Sequence, residues 1–273
     1  MKVSIPLYTV MLFIIGFFIC FLSIFREGFQ SKDITFGVMA IFKNEAMGIR
    51  EWIEHYKWQG ADKILLLDNN STDDWRHKIT GFEHFVTVLA APNDHYQSGH
   101  YREIGIPWLK ENGIDVVATL DIDEFMFGAD GRPLKECIID VFSSANRPSQ
   151  FTCKWTMFGS SGHITQPSDV RTSFTWKKSE LVNLNPTKPV TWVNDIRNIQ
   201  TPHGFEVTGE TQECPPGIQL NHYAIQSREY FEKIKMSRGD VASSVNVRDW
   251  HYFTSYDHHE EEDLKLKHLL ERM

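Results

Sequence analysis

Apolar runs and amphipathic stretches alternate between residues 34 and 142. ITFGVMAIF (34–42), KILLLD (63–68), FVTVLAA (85–91) and VVATLDIDEF (116–125) are near-continuous apolar segments bounded by polar clusters. That is the pattern of strands buried on both faces. After the first run, Asn44 stands where it can cap a helix whose apolar stripe is Ile49, Trp52, Ile53 and Tyr56, with Gly60 as its stop. Residues 97–112 predict a helix that Pro107 must kink or break, and Leu134, Ile138, Val141 and Phe142 mark another. The order β-α-β-β-α-β-α predicts an α/β fold, a mostly parallel Rossmann-like sheet with helices on both faces.

The pattern changes after residue 149. FTCKWTMF, RTSFTW, VTWV and GIQLNHYA are short alternating segments separated by prolines and glycines, which predicts strands joined by long loops. Trp155, Phe158, Trp176, Trp192, His163 and Asn194 are dense enough to form a wall for sugar stacking, and equally suit an ordinary core. Ser227 is placed to cap a helix over 228–236. The last residues predict a charged helix whose His258 and His259 sit on a solvated face.

Residues 6–25 carry no charge and are long enough for one membrane crossing; no small-residue cleavage site follows. This predicts an uncleaved signal anchor and a single-pass, type II protein. The organisation expected is a cytosolic tail 1–5, anchor 6–25, short stem 26–33, catalytic domain 34–258 and charged C-terminal helix 259–273. A net charge of -8 argues against nucleic acid as a partner. Cys20 falls in the anchor, so at most one disulfide can form among Cys137, Cys153 and Cys214, and Cys137 reads as a buried thiol.

Ligands of such sheets sit at the carboxyl ends of the strands. Three polar clusters fall there: Lys43–Glu45, Asp68–Asp74 and Asp121–Glu124. If the fourth strand runs through DIDEF, Asp121 and Asp123 face one side and Ile122 the other. Two carboxylates so placed suit Mg²⁺ or Mn²⁺ carrying a diphosphate, and also read as two solvated acids at a strand end. Arg102, Lys235 and Arg238 are candidate cations for a leaving diphosphate. A general base for a hydroxyl could come from Glu124, Asp169, Asp195, Glu206 or Glu210. FGSSGH (158–163) has small residues that admit close approach and a histidine for hydroxyls, which places Gly159, Ser160 and His163, with Trp155, on an acceptor side.

Four blocks in order, AIFKNEAMGIREWIEHYKWQGADKILLLDNNSTDD, DIDEF, WTMFGSSGH and NHYAIQSREYFEKIKMSRGD, resemble glycosyltransferase family 92 and related family-2-like transferases over residues 35–240. The resemblance implies a GT-A fold, a UDP-sugar donor, Mn²⁺ (or Mg²⁺), and transfer of a hexose, galactose in animal members, to a glycan hydroxyl with inversion in a Golgi- or ER-like membrane. It implies that Lys43, Asn44 and Glu45 belong to the nucleotide pocket. Asp68 and Asn69 match the acidic pair that reaches uracil and ribose, with Asn in place of the second Asp. Asp121 and Asp123 match the D-x-D, and His222 looks like the third protein ligand of the metal. A metal-dependent phosphoryl hydrolase also places D-x-D after a strand, and an inactive carbohydrate-binding membrane protein could keep the fold.

Overall fold

The computed structural model describes residues 33–179, 187–237 and 248–272. The chain divides into two compact units, Met1–Asp33 and Ile34–Met273. The first, with the expected anchor at 6–25, lies outside the described residues apart from Asp33, and no helix among the described residues is long and apolar enough to cross a membrane.

The second unit is mixed α/β. Strands β1 (Phe36–Phe42), β2 (Lys63–Asp68), β3 (Val86–Ala90) and β4 (Val116–Thr119) form the parallel half of a seven-stranded sheet. Strand β5 (Glu124–Gly128) leaves that sheet. The remaining members are β6 (Gln150–Lys154), β9 (Thr187–Trp192) and β12 (Thr211–Glu213), after the short β7 (Thr156–Met157) and β8 (Trp176–Lys177) and the hairpin β10 (Ile196–Thr201) with β11 (Gly204–Val207). The order is β12-β6-β9-β4-β1-β2-β3, with β9 antiparallel to both its neighbours, so the sheet is mostly parallel. A smaller sheet sets β13 (Ile218–His222) between β5 and β7.

Alternation explains the unbroken apolar runs. Val38 and Ala40 of β1, with Ile64 and Leu66 of β2, enter one core with Trp52, Ile53 and Tyr56; Met39, Ile41, Leu65 and Leu67 enter a second with Tyr101, Leu109 and Val117. Each face of the sheet is therefore covered.

Several local expectations are corrected. The helix Ile49–Trp58 starts at Gly48, not at Asn44, whose left-handed backbone (φ 55°) turns its side chain toward the next loop. The predicted helix over 97–112 is helical from Gln97 to Glu111, and the interruption expected from Pro107 takes the form of a π-helical turn, Tyr101–Gly105, between Gln97–His100 and Ile106–Glu111. RTS of RTSFTW is helical (Val170–Ser173), capped by Asp169. Ser227 does cap its helix, which continues as a second π-helical segment, Phe231–Met236. The C-terminal segment is not one helix from 259: β14 (Glu261–Glu262) pairs with β8, and only Lys265–Leu270 is helical.

Candidate functional site

The parallel register points the carboxyl ends of β1, β2 and β4 the same way: β1 and β2 end level, Phe42 opposite Asp68, and β4 ends three residues earlier, Thr119 opposite Met39. The three polar clusters thus emerge at one edge. The first two are stitched to each other: Asn44 N donates to Ser71 Oγ at 2.9 Å, and Thr72 N donates to Asn44 Oδ1 at 2.7 Å. Asp68 Oδ1 accepts from Ser71 N at 2.9 Å. Asn69 is buried, its amide donating to the carbonyls of Ala91 and Asn93. Lys43 pairs with Asp94.

The D-x-D is not on a strand. Glu124 N donates to Asp121 O at 3.0 Å, so residues 121–124 form a turn between β4 and β5. This replaces the expected alternation, and the two aspartates take different partners. Asp121 Oδ2 lies 2.7 Å from the ammonium of Lys188, which is fully buried and also 3.4 Å from Glu124 Oε2. Asp123 Oδ2 lies 2.5 Å from Lys235, and its Oδ1 is 3.6 Å from His222 Nε2.

The turn is held from below by helix Ile49–Trp58. Trp52 Nε1 donates to the carbonyls of Asp121 and Glu124 at 2.9 and 3.1 Å. Tyr56 OH donates to Glu124 O and accepts from Met126 N, each at 2.9 Å. From β13, His222 stands directly opposite Glu124 in the antiparallel register, so their side chains share a face. Trp155, at the break between β6 and β7, packs its ring 4.3 Å from that of His222.

Asp123, Glu124 and His222 each offer a ligand atom, all within 4.8 Å of one another. Two carboxylates and an imidazole suit Mn²⁺ and accept Mg²⁺ less readily. Glu124 Oε1 and His222 Nδ1 are buried with no hydrogen-bond partner among the described residues, which is costly unless something binds there. The donor set therefore fits a divalent cation. It contains Glu124 where the sequence pointed to Asp121.

The charges follow from the packing. Burial disfavours a charged Asp121, but the Lys188 ammonium outweighs it and keeps the carboxyl below its usual range. Burial likewise opposes ionised Asp123, and Lys235 with His222 outweighs it, holding the group well below that range. Glu124 is buried deeply enough that its carboxyl is pushed up to about 7 in spite of Lys188. Lys188 stays cationic, since Asp121 and Glu124 overcome its desolvation. His203, 5.7 Å from the Trp155 ring, is pushed down to about 4 by burial and then by Lys188.

The remaining expected residues are placed as follows. Glu45 is buried and accepts from Tyr230 OH at 2.8 Å. Arg102 pairs with Glu103 and reaches Ile199 O, on the β10 side. Arg238 lies outside the described residues. The FGSSGH loop is bonded to the protein itself: Ser160 N donates to Asp257, His163 Nε2 contacts Ser173 O, and a Cβ on Gly159 would meet the His258 backbone at 2.2 Å. The aromatic residues do not form one wall, since Phe158 is core, Trp192 packs on Phe142 and Arg147, and Trp176 is exposed. Of the five carboxylates considered as base, only Glu124 is in the trio. Asp169 caps a helix beside Arg171, Asp195 holds Arg147 and Ser149, and Glu206 and Glu210 are exposed. The sequence reading missed Lys188, whose one signal was a lysine in the apolar strand TKPVTW, and Gln97, which lies 3.4 Å from Asp121 Oδ1.

No family model matches the chain. A curated protein from rice (Oryza sativa subsp. japonica), described as a glycosyltransferase family 92 protein, is 24% identical over 246 residues, 83% of this chain and 38% of that protein. The chain resembles glycosyltransferase family 92. It spans less than two fifths of that relative's length. Among solved structures, glucosyl-3-phosphoglycerate synthase from Mycobacterium tuberculosis, in complex with Mn²⁺, UDP and glucosyl-3-phosphoglycerate, is 14% identical over 60% of this chain and 58% of its own, with a TM-score of 0.36. A cytidylyltransferase from Leptospira borgpetersenii is 10% identical over 59% and 61%, with a TM-score of 0.34. Both structural likenesses are partial.

Proposed function

We propose that this protein is a metal-dependent GT-A glycosyltransferase that moves a hexose, galactose by the resemblance, from a UDP-sugar to a glycan hydroxyl with inversion. The observation that carries the reading is the trio Asp123, Glu124 and His222 at the carboxyl edge of the parallel strands, beside two loops cross-linked through Asn44 and Ser71. That edge is where open α/β sheets take their ligands.

In this reading Asp123, Glu124 and His222 hold Mn²⁺ (or Mg²⁺). When bound, the ion neutralises the charge that develops on the leaving diphosphate. The chain supplies the rest. Trp52 and Tyr56 fix the turn, so the carboxylates need not reorganise during reaction. Lys188 keeps Asp121 ionised and in place. The β1 and β2 loops line the nucleotide side, with Asp68 at the end of β2. Trp155 offers an apolar surface next to the metal ligands. The anchor at 6–25 and a lumenal, Golgi- or ER-like location belong to the same proposal. The disulfide Cys153–Cys214 supports it, because such bonds persist in oxidising compartments.

A panel of nucleotide sugars with and without Mn²⁺, run on the full-length protein in detergent, tests the reading. Asp123→Ala should lower transfer by about a hundredfold or more in protein that still folds, with a melting temperature below wild type because the buried Lys235 loses its partner. Near-normal turnover in that variant, or indifference to EDTA, overturns it.

A further inference from the structure

Lys235 is unusual among the lysines of this chain. It is only 7% exposed, lies in the π-helical segment Phe231–Met236 and places its ammonium 2.5 Å from Asp123 Oδ2. The same stem passes the ring of Tyr230, with Nζ 5.8 Å from its centroid, and Tyr230 OH is bonded to Glu45. A cation of the protein's own thus sits on the aspartate that the trio needs.

We propose that Lys235 is an internal stand-in for the divalent cation: it neutralises Asp123 in the metal-free protein and is displaced when the ion binds. This rests on the metal reading above. The physical case has three parts. A buried carboxylate without a counter-charge is expensive, so the metal-free protein needs a cation there. Asp123 has two oxygens, one against Lys235 and the other toward His222, so a metal ion and an ammonium compete for one charge. Lysine carries a compact charge on a flexible four-carbon stem, and its π-helical setting is a form of helix frequent where side chains act on ligands. Lys188 has no such freedom, being fully buried between Asp121 and Glu124. A lysine released beside the ion is then available to an anionic leaving group.

The test is Mn²⁺ binding to the full-length protein by titration calorimetry, without any sugar donor. Lys235→Met and Lys235→Gln should bind Mn²⁺ about tenfold more tightly than wild type, because the internal competitor is gone. Lys235→Arg keeps the charge and should stay within a few-fold of wild type. Unchanged or weaker binding in the neutral variants overturns the proposal. A measurement on the unmodified protein stands beside it should those variants fail to fold. Acylation of Lys235 by an amine-reactive reagent, read by mass spectrometry against the exposed Lys233, should accelerate several-fold at saturating Mn²⁺. An unchanged rate overturns displacement. If Asp123→Ala binds Mn²⁺ as tightly as wild type, the metal site itself is misassigned, a failure distinguishable from that of the Lys235 proposal.

Discussion

Residue identity is not role, and the two aspartates of DIDEF show why. On a strand they would be equivalent. In the turn that actually carries them, Asp121 is committed to Lys188 and Asp123 faces His222 and Lys235. That three polar clusters meet at one edge was legible from the sequence, because apolar strands of a parallel sheet end in the same direction. The division of labour was not, because Lys188 lies 67 residues from Asp121 and nothing local marks it. A buried lysine between two carboxylates makes a sharp prediction. Lys188→Met leaves Asp121 and Glu124 facing each other without compensation, and should cost about 3–5 kcal/mol of stability by denaturant unfolding. Adding Asp121→Asn to that variant should recover part of the loss. A cost under about 1 kcal/mol in the single variant would mean that the pair is solvated in the folded protein.

Among the elements, the helix Ile49–Trp58 was readable as an amphipathic stripe, and all four residues of the stripe are buried, together with His55, which the stripe did not name. What periodicity could not reveal is that Trp52, His55 and Tyr56 also bond the backbone of the 121–126 segment, since side-chain donors are invisible to a hydrophobic count. The π-helical turns were not legible either; at the end of the first, Gly105 packs so close to Met39 that a Cβ would lie 2.4 Å from the sulfur. His55 turns this packing into a pH dependence. Burial, and after it Arg171, pushes the imidazole down to about 3, and Nε2–H of the neutral ring donates to Met126 O at 2.9 Å. The unfolded chain takes up the proton near 6.5, so the unfolded state binds more protons below that pH. The stability this group contributes is complete above pH 6.5 and drains away as the pH falls toward 3. Between pH 7.5 and 5 the wild type should lose about 2 kcal/mol relative to His55→Gln. The comparison isolates His55 from carboxyls that titrate in the same range, and a pH-independent difference would show that the ring accepts a proton within the fold.

For the molecule as a whole, the parallel half was legible because each strand is followed closely by the element that covers it. The other half was not, because β9 inserts between β4 and β6 and β8 meets β14 across 84 residues, pairings that no local pattern encodes. One covalent link compensates for that long-range assembly. Cys153 of β6 bonds Cys214, just past β12, closing a segment with a sequence separation of 61 that contains β9, the strand carrying Lys188, and the β10–β11 hairpin. Among the described residues Cys137 is the free cysteine, buried as the sequence suggested. Loop closure of that length restricts the unfolded chain by roughly 4 kcal/mol in the chain-entropy account. For a unit of this size that corresponds to roughly 10 °C in melting temperature. The full-length protein should therefore melt roughly that much lower in reductant, Cys153→Ser should melt at the reduced value with or without it, and Cys137→Ser should leave the reductant effect intact. Because β9 brings Lys188 to Asp121, the reduced protein should also show faster amide exchange along Thr187–Trp192 than along β1. A melting temperature indifferent to reductant would mean that the bond closes nothing the fold depends on, and would remove the support it gives to a lumenal location.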